Sequence, residues 1–146
     1  MSPSMPARAD NSGVNFMRKA VTSVVAVLMV LFVFAGCGPK TIEQAFSDSD
    51  LQKMCDEIKS NSLFSTYYND VKVEVKENDI TYEYWYNMTM DEDQIAAVKA
   101  SLEDGELEGQ IEELKDSFEK QSRLRPNKIT YIYYTADDQL IAKIEG

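Results

Sequence analysis

The sequence predicts an α+β domain of order α-ββ-α-ββ, with a four-stranded, mostly antiparallel sheet. A short and a long helix pack on one face of that sheet. Three observations predict it. Two stretches alternate apolar and polar residues around a short acidic turn, so each reads as a β-hairpin. Two others repeat their apolar residues with a helical spacing. Helical and hairpin stretches then take turns along the chain, and hairpins favour an antiparallel sheet with one face left for helices. The chain has 146 residues, which suits one domain.

The first helix follows Ser47-Asp48-Ser49-Asp50. Leu51, Met54, Cys55 and Ile58 recur at i, i+3, i+4 and i+7 and so share a face. Ser49 or Asp48 is placed to cap its start, with first-turn acids opposing the helix dipole. In the first hairpin Val71, Val73 and Val75 point one way, and Lys72, Glu74 and Lys76 the other. Glu77-Asn78-Asp79 supplies the turn. Ile80, Tyr82, Tyr84 and Tyr86 continue the apolar face on the second strand.

The long helix starts from a cap at Thr89 or Asp91. Ile95, Val98 and Leu102 make one stripe; Leu107, Ile111, Leu114 and Phe118 make another. The stripe slips between Leu102 and Leu107, where Gly105 and Gly109 lie. That predicts one bent helix or two in line. Arg123, Arg125 and Pro126 close it. The second hairpin turns at Ala136-Asp137-Asp138-Gln139, with Leu140, Ala142 and Ile144 as an inner row and Lys143 and Glu145 outside. Ile132 and Tyr134 lie opposite the Tyr131/Tyr133 row, so one of those rows faces away from the helices.

The N-terminal part reads as an address rather than as fold. Met17-Arg18-Lys19 begins a basic segment, and residues 20–35 are apolar except Thr22 and Ser23. Small residues Ala35 and Gly36 precede Cys37. These are the three parts of a secretory signal peptide, and the run is shorter than the ~20 residues that a spanning helix needs. Phe34-Ala35-Gly36-Cys37 resembles the box of bacterial lipoproteins, with phenylalanine where leucine is usual. The resemblance implies cleavage between Gly36 and Cys37 and a diacylglycerol on the Cys37 sulfur. Membrane lipid would then hold the chain on the outer face of the cytoplasmic membrane. Two acyl chains anchor stably, at ~0.8 kcal/mol per buried methylene.

The expected organisation is therefore residues 1–16 as an extension, 17–36 as signal peptide, 37–48 as lipidated N-terminus and short tether, and 49–146 as one extracytoplasmic domain. The extension carries prolines and an acid, unlike a signal n-region, so translation is placed at Met17, with an extended n-region from Met1 as the alternative. A Cys37–Cys55 disulfide is left open, because spacing does not fix its geometry.

Composition narrows the function classes. There are 15 basic and 25 acidic residues, a net charge of −10, and −12 once the first 36 residues are removed. Such a chain repels phosphate backbones, so nucleic acid is not an expected partner. Histidine is absent, which removes the commonest general base and zinc ligand. No Gly-x-Ser-x-Gly elbow or phosphate-binding glycine loop occurs. A paired-carboxylate hydrolase is compatible with residue type alone, as it is for any acidic helical protein. Asp48/Asp50, Asp91-Glu92-Asp93 and Asp137/Asp138 lack the spacing of a calcium loop and read as caps and a solvated turn. Cys55, on an apolar stripe beside Asp56 and Glu57, reads as a core residue. The expectation is a protein with no catalytic residues, no cofactor and no metal.

The aromatic residues carry the binding hypothesis. Alternation puts Trp85 with Thr81 and Glu83 on the polar face of its strand. An exposed tryptophan with tyrosines nearby makes Trp85, Glu83 and Tyr134 a candidate surface for a peptide or glycan ligand, or for an envelope protein. Strand aromatics that merely pack across the sheet are the bland alternative.

Read together, Lys40-Thr41-Ile42-Glu43 after Cys37-Gly38, the strand "ITYEYWY", the helix "DEDQIAAVKASLE" and the hairpin "ITYIYYTADDQLIAKIE" resemble the domain-of-unknown-function family 4854. The likeness covers nearly all of the mature chain. It implies a small lipoprotein and no particular activity. The functional expectation is a membrane-anchored, non-catalytic binding or interaction module. A structural or accessory subunit of an envelope complex is the alternative.

Overall fold

A computed structural model describes residues 40–146; Gly36, Cys37 and the expected signal peptide and extension lie outside the described residues. The first element, α1 (Ile42–Ala45), is a single turn capped by Thr41. It belongs to the domain and not to a tether. Ile42 is buried, and its N–H donates to Asn78 Oδ1 at 3.0 Å. The Glu43 N–H donates to the Glu77 carbonyl at 2.9 Å, and the Glu43 carboxylate accepts the Glu77 N–H at 2.6 Å. The chain is thus clamped to the turn at Glu77 and Asn78 before residue 49, the expected start of the domain.

Helix α2 (Asp48–Ser60) is capped by Ser47, one residue before Asp48 and two before Ser49, the expected caps. Ser47 and Asp50 form a reciprocal capping box, which satisfies two N-terminal donors at once. Met54, Cys55 and Ile58 are buried as the periodicity requires, and Leu51 packs at the margin. Helix α3 (Ser62–Tyr67) follows, capped by Asn61. It was not expected, since six residues are too few to display a helical period. It buries Phe64 and Tyr67.

Strands β1 (Tyr68–Lys76) and β2 (Asp79–Tyr86) form the first hairpin. The expected long helix is two: α4 (Glu92–Leu102), with a capping box from Asp91 to Gln94, and α5 (Glu106–Ser122). The break falls at the slip in the stripe. Gly105 there has φ +95°, a left-handed conformation that suits glycine, whereas Gly109 lies inside α5. Arg123, with φ 60°, ends α5. Strands β3 (Lys128–Tyr134) and β4 (Leu140–Glu145) complete the chain.

The sheet order is β1-β2-β3-β4. The two hairpins are antiparallel, and β2 pairs with β3 in parallel. The crossover through α4 and α5 supplies the length that a parallel pair demands. The fold is therefore α+β, with a mixed, mostly antiparallel sheet.

Between sheet and helices lies one core. Ile80, Tyr82, Tyr84 and Tyr86 of β2 meet Ile129, Tyr131 and Tyr133 of β3, with Val71 and Val73 on one side and Ala142 and Ile144 on the other. Seven of its members are tyrosines, counting Tyr67 and Tyr68, and rings on neighbouring strands meet along the sheet. Tyr82 and Tyr131 lie 5.1 Å apart between centroids, Tyr84 and Tyr133 5.5 Å, and Tyr68 and Tyr86 4.8 Å. From the helix side α4 and α5 contribute Leu102, Leu107, Ile111, Leu114 and Phe118.

The expected inner row of β4 is corrected at one position. Ala142 and Ile144 are buried, but Leu140 is 57% exposed. Tyr133 pairs with Ala142 and Tyr134 with Leu140, so Ile141 is an extra residue in a bulge. A bulge reverses the inward–outward alternation on its far side. Ile141 is buried, and Leu140 lies across from Tyr134.

Candidate functional site

The sheet face turned away from the helices is uncovered among the described residues, and pairing builds it row by row. Asp70, Trp85, Tyr134 and Leu140 stand side by side across the four strands. The next row is Lys72, Glu83, Ile132 and Lys143, and the one after it Glu74, Thr81, Thr130 and Glu145. Register thus brings Trp85, Glu83 and Tyr134 together, as the alternation of β2 and β3 suggested. The Tyr131/Tyr133 row faces the helices, and the Ile132/Tyr134 row faces away from them.

The aromatic pair is fixed from several sides. The Trp85 and Tyr134 rings stack with centroids 5.1 Å apart and planes 19° from parallel. The Trp85 indole N–H donates to Asp138 Oδ1 at 2.7 Å, which ties β2 to the β3–β4 turn. The Tyr134 hydroxyl donates to Glu83 Oε1 across 3.4 Å, a long and weak bond. Burial, and then the negative charge of Glu83, raise the Tyr134 phenol above its ordinary value. Lys72 reaches Glu83 at 3.5 Å and Glu74 at 3.4 Å. Trp85 is half-buried, not exposed as expected, because Tyr134 covers part of it.

A groove of about 420 Å³ adjoins this row between α2 and the outer edge of β1. Asp48 and Gln52 of α2 line one side, Asp70 and Lys72 of β1 the other, and Trp85 is part of its wall. Asp70 forms an ion pair with Lys59. The outward backbone of β1 is already occupied at one point, where the Val71 N–H donates to Asp70 Oδ1 at 2.9 Å, and Cys55 of α2 lines the groove together with Val73. Cys55 is a free, buried thiol, and burial pushes its pKa up. A thiol held in that state is a poor nucleophile.

At the other end of the face a depression of about 240 Å³ lies over Thr81, Thr130 and Ile132. Its rim carries both signs of charge, with Glu145 paired to Lys128 and Lys143, and no aromatic side chain. The aromatic end is therefore the stronger candidate for recognition.

Four other acidic groups hold structure. Asp50 and Asp91 complete capping boxes. Asp137 accepts from Thr135 and Gln139, which lowers its pKa, and Asp138 takes the indole N–H. Among the described residues no cluster of three or more potential metal ligands occurs, and no helix is long and apolar enough to cross a membrane.

Sequence reasoning missed Asp138 and the groove residues Asp48, Gln52 and Asp70. They lie far from Trp85 along the chain. A bulge after Tyr68 sets Asp70 opposite Trp85, and no sequence pattern announces a bulge without glycine.

Among known families, the one described as Domain of unknown function (DUF4854) matches residues 42–145. The chain belongs to that family. The matched stretch begins at α1 and ends with β4, so it spans the whole fold of this DUF4854 member, including the clamp at Ile42 and the Trp85 row. No curated protein matches the chain, and no solved structure does.

Proposed function

We propose that this DUF4854 chain is a lipid-anchored, non-catalytic binding module on the outer face of the cytoplasmic membrane. Its ligand surface is the open sheet face around Trp85. The observation that carries this reading is the Trp85–Tyr134 stack on a face that no described helix covers, held by Asp138 and flanked by Glu83. A rigid aromatic surface loses little entropy when it binds, and aromatics are enriched where proteins recognise ligands.

The anchor and the surface suit one another. Cys37 precedes Lys40 by three residues, a reach of at most about 11 Å. The chain then docks on the β1–β2 turn through Ile42 and Glu43. Trp85 lies on β2 six residues beyond Asp79, about 20 Å along the strand from that turn. With lipid on Cys37, the turn sits near the bilayer and the aromatic row is displayed away from it.

The test is retention of the detergent-extracted full chain on envelope material from its own cells, beside Trp85→Ala and Tyr134→Ala. Retention should weaken at least about tenfold in both variants. The lost stack and hydrogen bond should cost only about 1–3 kcal/mol of stability, so both stay folded. Unchanged retention with a lowered melting temperature would make the aromatic row a packing feature only.

A further inference from the structure

We infer that the groove between α2 and β1 takes a neutral saccharide, stacked on Trp85 and held by Gln52 and the carboxylates beside it. The inference rests on the reading of the Trp85 surface as a ligand surface and names its ligand class. A sugar ring has a C–H face that suits a flat aromatic ring, and a rim of hydroxyls that both donate and accept. The groove offers those two features together. Trp85 cannot swing freely, because Tyr134 stacks on it and Asp138 holds its N–H. Asp48, Gln52 and Asp70 line the groove with acceptors, and the Gln52 amide, which gives one N–H to Asp56 Oδ1 at 3.0 Å, has a second to donate.

Charge argues for a neutral ligand. Asp48, Asp70, Lys59 and Lys72 all line the groove, but Lys59 is paired to Asp70 and Lys72 to Glu83 and Glu74, so the groove offers an anionic ligand no unpaired cation among the described residues. Its volume of about 420 Å³ falls in the range of small-molecule sites, roughly 300–1,000 Å³.

The edge chemistry argues against the other candidate, an extended peptide adding a strand to β1. Strand addition needs the outward N–H groups of the edge. That of Val71 is engaged by the Asp70 carboxylate, and α2 lies beside this edge, with its Leu51 and Cys55 lining the same groove as Val71 and Val73. A helix laid beside an edge is one of the ways a sheet edge is blunted.

Trp85 is the single tryptophan of the chain, so its fluorescence reports on this site alone. The full chain in detergent micelles is titrated with β-1,4-linked tetrasaccharides of glucose and of N-acetylglucosamine, and separately with an alternating Val-Thr hexapeptide. A saturable emission change with a tetrasaccharide is expected, weakened about tenfold or more by Gln52→Ala. Calorimetry, which does not need the indole, should show the same loss in Trp85→Ala. Saccharide binding that Leu140→Ala weakens and Gln52→Ala leaves intact would put the ligand across the open face and overturn the groove assignment. Response to the peptide alone would overturn the saccharide assignment while leaving the Trp85 surface a ligand site. No response to either probe, together with unchanged retention of Trp85→Ala on envelope material, would overturn both readings.

Discussion

Alkaline pH should unfold this domain abruptly, and the tyrosine core sets where. Tyr68, Tyr82, Tyr84, Tyr86, Tyr131 and Tyr133 are each at most 4% exposed. Burial is the main force that holds their phenols above the ordinary value; Tyr86 is pushed up to about 12 and the other five are also raised. In the unfolded chain all six titrate near pH ~10. Folded tyrosines therefore keep protons that unfolded ones lose, and stability is fully present below pH ~10 and falls as the pH rises above it. Each group costs about 1 kcal/mol at pH 10.5 and about 2 kcal/mol at pH 11.5, so the six together cost roughly 5 and then roughly 12 kcal/mol. A domain of this size is stable by about 5–15 kcal/mol, so it should unfold between pH ~10.5 and ~12. Tyrosinate absorbance and far-ultraviolet circular dichroism, followed together on base titration, should change in one steep, coincident step. Tyr84→Phe should move that step to higher pH. It removes one titrating group, and it removes a buried hydroxyl that has no hydrogen-bond partner among the described residues. A gradual absorbance change centred near pH ~10, with the dichroism unaltered, would refute the reasoning, since the phenols would then be open to water.

The two glycines near the helix break should respond in opposite directions to alanine. At Gly105 a Cβ would meet nothing closer than Glu108 Oε2 at 3.9 Å, so the cost of Gly105→Ala is that of a left-handed backbone, about 1–2 kcal/mol. Gly109→Ala, with open space around the new methyl inside α5, should stabilise by about 1 kcal/mol. Thermal melting reads both, at roughly 4–8 °C per kcal/mol for a domain of this length.

Much of this fold was legible because its signals are local. The Val71/Val73 and Tyr82/Tyr84 alternations declare their strands, and the missed beat between Leu102 and Leu107 marks where α4 gives way to α5. What stayed hidden depends on events that leave no pattern. The bulge at Ile141 turned Leu140 outward although the sequence alternates on through it. The clamp of Ile42 on Asn78 joins residues far apart in the chain, so residues 37–48 read as a lipidated N-terminus and tether outside the domain. For the site, alternation correctly put Trp85 and Glu83 on the face away from the core. It did not reveal Asp138 behind the indole, or the groove beside it, because both follow from how strands and α2 meet in space.

The lipid anchor is what would turn an acidic domain with an aromatic face into a surface-displayed module, and its mark is a mass at one residue. Mass spectrometry of the N-terminal peptide, taken from the membrane-extracted full-length protein, tests it most directly. A peptide that begins at Cys37 and carries a diacylglyceryl group is the predicted result. An unmodified peptide beginning at Met17 or Met1 would contradict it.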